Sequence, residues 1–115
     1  MTETPDKSKR RVSAAEAFEK LTDDERFTTV FEHGTLSVEL YAPRGHDPQQ
    51  PHTRDEVYMV VSGSGTFVHG DKRDDFGPGD FLFVPAGLDH RFEDFTDDFS
   101  VWVLFYGPEG GEADA

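Results

Sequence analysis

His52, Glu56 and His90 are the side chains in this chain whose types and company are suited to joint chemistry. His52 and Glu56 fall in the stretch Gln50 to Gly65 (QPHTRDEVYMVVSGSG), and His90 closes the stretch Gly79 to His90 (GDFLFVPAGLDH) some thirty residues later. Both stretches are rich in apolar strand formers. Two neutral imidazoles and a carboxylate that leave coordination positions open suit a divalent transition metal, including non-haem iron(II). The alternative is a polar cluster satisfied by its own hydrogen bonds. Against it stands the cost of burying a Glu beside two histidines, several kcal/mol unless the carboxyl stays protonated.

Reach sets a condition on the elements that carry these groups. In a straight strand rising ~3.3 Å per residue, positions 52 and 56 lie roughly 13 Å apart, too far for both side chains to meet one ion. The segment Thr53-Arg54-Asp55 must therefore bend, with Gln50-Pro51-His52 ending one strand and Glu56-Val57-Tyr58 starting the next. Gln50 and His52, two apart in a strand, then share a face. His90 arrives on a separate strand after a Pro/Gly turn. His33 and His69 each precede a glycine at a turn and are read as surface residues.

The chain around these residues alternates with period two over much of its length. Phe27 to Phe31 and Leu36 to Leu40 read as a hairpin about Glu32-His33-Gly34-Thr35, and Ala42 to Pro51 (APRGHDPQQP) as a loop. Further strands are expected from Glu56 to Ser62, Thr66 to His69, Phe81 to Val84, His90 to Phe95 and Phe99 to Tyr106. Asp71 to Asp75 reads as a solvated hairpin tip. Before the strands, Ser13-Ala14-Ala15-Glu16 has the form of a capping box, with Ala17, Phe18 and Leu21 on one face of a short helix to about Asp24. Seven or eight short strands with turns every 8 to 12 residues describe an all-β sandwich or barrel. Residues 1–12 are expected to be a disordered arm, 13–106 a single domain and 107–115 a flexible acidic tail.

Composition narrows the function classes. The 115 residues suffice for one modest core. There is no cysteine, so thiolate catalysis, disulfides and thiolate metal sites are excluded and any ion must sit on nitrogen and oxygen. A net charge of −13 argues against nucleic acid and anionic membrane as partners. The absence of a long apolar run or a signal-like N-terminus points to a soluble, cytoplasmic protein. Asp exceeds Glu and Arg exceeds Lys, the balance of a halophilic protein kept soluble in high salt.

The two stretches resemble the paired motifs of the cupin superfamily. Glu56-VYMVVS-Gly63 matches the second half of its first motif, with His52 on that motif's second histidine, and Gly79-DFLFV-Pro85-Ala86-Gly87-LD-His90 matches its second motif, with Asp94 where Asn is usual. The resemblance spans about Leu36 to Phe105. It implies a double-stranded β-helix, or jelly-roll barrel, with a short N-terminal helix, in the manner of small single-domain cupins. It also implies a metal ion on His52, Glu56 and His90.

Gln50 stands where the family has its first histidine. Its amide oxygen is either a fourth, harder ligand or a partner that orients water or His52, with His46 a substitute donor from the loop. Iron(II) or manganese(II) is favoured, and zinc, nickel and copper are compatible. Tyr58 is the candidate proton donor; Arg54 is a substrate-carboxylate holder or a solvated turn residue. The resemblance implies a small-molecule ligand and a homodimer formed through Phe-rich outer strands. It is compatible with a dioxygenase, with a sugar or keto-acid isomerase or decarboxylase, and with a non-catalytic binding or sensing module.

Overall fold

The structure, a computed structural model, describes residues 9–113. Most of the expected arm, residues 1–8, and the end of the expected tail, residues 114–115, lie outside the described residues. One short helix, α1 (Ala14–Phe18), precedes eight strands: β1 (Phe27–His33), β2 (Leu36–Tyr41), β3 (Asp55–Ser62), β4 (Gly65–His69), β5 (Lys72–Phe76), β6 (Phe81–Val84), β7 (His90–Glu93) and β8 (Ser100–Tyr106). They form a five-stranded sheet in the order β1-β2-β8-β3-β6 and a three-stranded sheet β5-β4-β7, with every paired neighbour antiparallel. This is the all-β jelly-roll with a short N-terminal helix that the sequence leads one to expect. No helix among the described residues is long and apolar enough to cross a membrane.

Alternation along the strands decides what fills the space between the sheets. Tyr58 and Val60 of β3, Val84 of β6 and Val101 and Val103 of β8 turn inward from the large sheet and meet Phe67, Phe76 and Phe92 of the small one. Phe99, just before β8, completes this core. Phe92 is its hub, with ring centroids 4.8 Å from both Tyr58 and Phe99 and 5.4 Å from Phe76. Burying each such side chain contributes about 1.5–3 kcal/mol. A smaller cluster of Ala17, Val30 and Leu40 lies on the other face of the large sheet, where Val12, Leu21, Val38 and Trp102 pack around the helix.

The capping box holds: the Glu16 amide donates to the Ser13 hydroxyl, which donates in turn to the Glu16 carboxylate. The helix is nevertheless only five residues long, ending well short of Asp24. It tightens into i→i+3 bonds from Lys20 to Ala17 and from Leu21 to Phe18, after which Thr22 closes a separate turn with Glu25. Phe18 is consequently turned outward and exposed, so only Ala17 and Leu21 of the expected face pack.

Two other segments differ from expectation. Lys72–Phe76 is an edge strand paired with β4 over its full length, not a free tip. Its outward charges hide the strand in the sequence, and they are what keeps such an edge from pairing with other chains. The strand expected to run to Phe95 stops at Glu93, where Asp94 takes a positive φ of 52° and turns the chain.

Candidate metal centre

Glu56 is the second residue of β3, the central partner of β8 and β6, and its register across Phe105 and Val84 fixes it in the sheet interior. The bend required by reach lies at Thr53-Arg54, so His52 sits in the loop before β3. That loop is tied to the β6–β7 turn, where the Gly87 amide donates to the His52 carbonyl at 2.7 Å. The turn closes through Leu88 N–H to Pro85 O, with Gly87 at φ 81° in its third position, a conformation that suits glycine. Asp55, adjacent to Glu56, accepts the Ala86 amide from the same turn. These backbone ties bring His52 and His90, far apart in sequence, to one carboxylate.

The ligating atoms of His52, Glu56 and His90 lie within 4.8 Å of one another. Glu56 Oε1 is 3.2 Å from His90 Nε2 and 3.8 Å from His52 Nε2. Glu56 and the His90 side chain are closed off from solvent, whereas the His52 side chain is about a third exposed. The ring of His52 packs edge-on against Phe105, with centroids 4.9 Å apart.

Gln50 is exposed in the loop. The amide that enters the cluster belongs to Gln49, whose Oε1 lies 3.1 Å from His90 Nε2 and 3.5 Å from His52 Nε2. The segment Gln50 to His52 is not a strand, so the two-residue periodicity that pairs Gln50 with His52 does not apply to it. Gln49 is oriented by Asp47. Its Nε2 donates to Asp47 Oδ2 at 2.6 Å, which leaves Oε1 facing inward, and Asp47 is itself held by the Phe92 amide and the Tyr41 hydroxyl. The buried Tyr58 hydroxyl donates to the same Gln49 oxygen at 2.7 Å. His46 is exposed, as is His33, while His69 bonds Asp74 away from the cluster. Arg54 donates Nε to the Gly107 carbonyl and so anchors the start of the C-terminal segment.

The electrostatics of the cluster ask for a cation. His90 Nδ1 faces the Leu88 carbonyl at 2.9 Å, and a carbonyl only accepts, so that nitrogen carries the proton. In the neutral ring the Nε2 lone pair then points at two more acceptors, Gln49 Oε1 and Glu56 Oε1. Glu56 Oε1 is buried without a hydrogen-bond partner. Burial alone would lower the His90 pKa, but the Glu56 carboxylate, the Leu88 carbonyl and the charge of Asp47 outweigh it and raise the value. Burial dominates at His52 and lowers its pKa despite the pull of Glu56. An N/O donor set with one orphaned buried oxygen fits a divalent ion, which would satisfy all four atoms at once.

A cavity of about 450 Å³ opens beside the cluster. Gln49 and His52 form its inner end, and Phe27, Pro48, Val103 and Phe105 its apolar walls. Glu39 and Tyr41 of β2 are its further polar groups. Burial and the neighbouring Asp47 and Glu56 push the Tyr41 hydroxyl far up. Burial, and then repulsion from Glu56, hold Glu39 up to about 7 against the pull of a Thr29 hydrogen bond. Gln49, Asp47, Glu39 and Tyr41 were not singled out by sequence. The one available signal was the inversion of polarity along β2, where Val38 and Leu40 are apolar and the alternating positions are Ser37, Glu39 and Tyr41.

A two-sheet jelly-roll with a His/Glu/His cluster drawn from the loop before β3, the start of β3 and the start of β7 defines a class of small barrel proteins with a candidate metal site inside the barrel. Within that class the chain belongs to the cupin domain family, Cupin_2, which matches residues 37–106. An uncharacterized protein of Streptomyces coelicolor is 36% identical over 93 residues, covering 79% of this chain and 89% of that protein. Acireductone dioxygenase of Rhodopseudomonas palustris is 47% identical over 45 residues, which is 36% of this chain and 27% of the enzyme. Among solved structures, a cupin-2 domain containing protein from Shewanella frigidimarina superposes with a TM-score of 0.68 at 15% identity, over 84% of this chain and 94% of that one.

Proposed function

We propose that this protein is a mononuclear metalloprotein that binds a small oxygenated molecule and, with iron(II), oxidises it with dioxygen. The observation that carries the metal reading is the buried, unpartnered Glu56 Oε1, on which His52 Nε2 and His90 Nε2 converge, with Gln49 Oε1 beside both histidine nitrogens. Gln49 takes the place that the family resemblance gives to Gln50. Its amide oxygen is a harder donor than imidazole and favours iron(II) or manganese(II) over softer choices. Such an ion supplies a Lewis acid that gathers and polarises the substrate's oxygens and, as iron(II), a centre for activating dioxygen.

The remaining work falls to the chain. His90, fixed by Leu88, and Gln49, fixed by Asp47, hold their donor atoms in place before any ligand arrives. Val103 and Phe105, with the half-exposed Phe27, give apolar walls to the face offered to substrate. Tyr58 keeps the Gln49 oxygen oriented; to donate a proton to substrate its hydroxyl must first leave that bond. The local similarity to acireductone dioxygenase supports oxygenase chemistry on an enediol-like substrate, although it covers a minor part of that enzyme.

We also infer a homodimer. Met59, Phe81 and Phe83 are exposed on neighbouring strands β3 and β6, where Met59 pairs with Phe81 and Val57 with Phe83. That is an apolar face on a chain of net charge −13.

The test is elemental analysis after purification and after iron(II) reconstitution, followed by oxygen uptake on a panel of enediols, catechols and diketones. The expected result is about one metal per chain, its loss in His52→Ala and Glu56→Ala, and oxygen consumption with at least one enediol. Wild-type protein that retains no metal after reconstitution would refute the metal reading. Stoichiometric metal with ligand binding and no turnover would leave a binding module instead.

A further inference from the structure

Strand β2 carries its polarity on the unexpected side. Its outward residues, Val38 and Leu40, are apolar and sit under helix α1, while Glu39 and Tyr41 turn toward the barrel interior and line the cavity. Tyr41 is accounted for by its bond to Asp47. Glu39 is not. It is paired in register with Thr29, whose hydroxyl gives it a hydrogen bond, and no Lys or Arg among the described residues forms a salt bridge with it. An acid placed among Phe27, Val103 and Phe105 with one protein partner retains unused acceptor capacity facing the cavity.

Register places Glu39 relative to the cluster. Glu39 pairs with Val103 and Val103 with Tyr58, whereas Glu56 pairs with Phe105. Two strand spacings and two residues therefore separate Glu39 from Glu56, about 12 Å between Cα atoms. That span, and the cavity volume of about 450 Å³, fit a ligand with a single small ring or a short carbon body.

We propose that Glu39 is the specificity-determining residue of this cavity. It selects ligands that carry a hydrogen-bond donor, an ammonium or hydroxyl group, at the end opposite their metal-binding oxygens, and it disfavours ligands that end there in a carboxylate. The proposal rests on the metal reading above for the near end of the ligand and on Glu39 alone for the far end. Burial is the larger cause that holds the Glu39 carboxyl up near neutrality and it persists when the ion is bound, so an ammonium group draws it to the ionised form while a carboxylate forces it to keep its proton.

The experiment uses the full chain loaded with manganese(II), without oxygen, and calorimetric titration with three catechols of matched size: 2-(3,4-dihydroxyphenyl)ethylamine, 4-ethylcatechol and 3,4-dihydroxyphenylacetate. The expected order of affinity is amine, then ethyl, then carboxylate, with about tenfold between amine and ethyl. Glu39→Gln should bring the amine level with the ethyl compound while metal content stays at wild-type level. Glu39→Asp, which keeps the acid but withdraws it, should preserve the order with a smaller spread. Equal binding of all three catechols to metal-loaded wild-type protein, or an amine preference that survives in Glu39→Gln, overturns the role of Glu39 and leaves the metal reading intact. Wild-type protein that takes up no manganese overturns both.

Discussion

The barrel interior has two ends that obey opposite rules. At one, Tyr58, Phe67, Phe76, Phe92 and Phe99 stack edge to face with few polar atoms to satisfy. At the other, Glu39, Tyr41, Glu56 and His90 from the strands meet Asp47, Gln49 and His52 from the loop before β3, and one buried oxygen has no partner. Both ends are assembled by the same strands: β3 places Tyr58 in the aromatic core and Glu56 two residues earlier in the cluster. The aromatic end is held by burial, and the acidic end keeps one buried carboxylate oxygen without a hydrogen-bond partner. Substitutions at the two ends should therefore differ in sign as well as in size.

The largest effect is expected at the aromatic end. Phe99 is almost wholly buried and packs on Phe76, Phe92 and Phe95. Phe99→Ala removes these contacts and leaves a cavity, so unfolding in urea should show a loss of about 3–5 kcal/mol. A loss under 1 kcal/mol would mean that the aromatic end does not carry the fold.

Glu56→Gln should act in the opposite direction. In metal-free protein the amide removes a buried, unpartnered carboxylate oxygen and adds an N–H₂ group that can donate to the neighbouring acceptors, a gain of about 1–3 kcal/mol. The same variant should lose the stabilisation that added manganese(II) or iron(II) gives the wild type. Urea titrations with and without metal read both quantities. A destabilised metal-free variant would show that Glu56 is held by the protein alone, and the contrast between the two ends would fail.

A smaller effect with a pH signature is expected at Glu39. Its folded value of about 7 stands above the ordinary carboxyl value of 4.5 that the unfolded chain takes. Between those values the folded protein keeps a proton that the unfolded chain has released, so stability falls as pH rises from about 4.5 to about 7 and levels off above. The groups that set this are Glu56 from β3, Glu32 and the Thr29 hydroxyl from β1, with Tyr41 and His52 also on the cavity. In metal-free protein, Glu39→Gln should match the wild type near pH 4.5 and exceed it by about 1–2 kcal/mol at pH 8. A pH-independent difference between the two would remove Glu39 as a buried acid.

The two ends were not equally legible in the sequence. Period-two alternation of Val, Phe and Leu gave seven of the eight strands, and the turn residues gave most of their limits, because both are local effects. His52, Glu56 and His90 were legible because their residue types restrict their chemistry and the reach between them required the bend seen at Thr53-Arg54. Gln49 was not. Its inward orientation comes from Asp47, whose carboxylate is fixed by the Phe92 amide and the Tyr41 hydroxyl, contacts between segments that no local pattern records. Strand β5 was hidden for a similar reason: its pairing with β4 is a tertiary choice, and its own residues Lys72 to Asp75 are those of a turn.

The smallest effect on the fold is expected outside both ends, on the face of β3 and β6 that neither uses. Among the described residues Phe81 is the most exposed of the large apolar side chains, so Phe81→Lys should change the stability of a single chain by no more than about 0.5 kcal/mol. Its consequence is expected in assembly. A lysine opposite Met59 would place a charge in the middle of the apolar face, and burying it against a second copy would carry a desolvation cost. Sedimentation at micromolar concentration should then show a dimer for the wild type and a 12.9 kDa species for the variant. A wild type that sediments at 12.9 kDa would remove the homodimer. The inward chemistry of β3 and β6 would then be independent of their outward face.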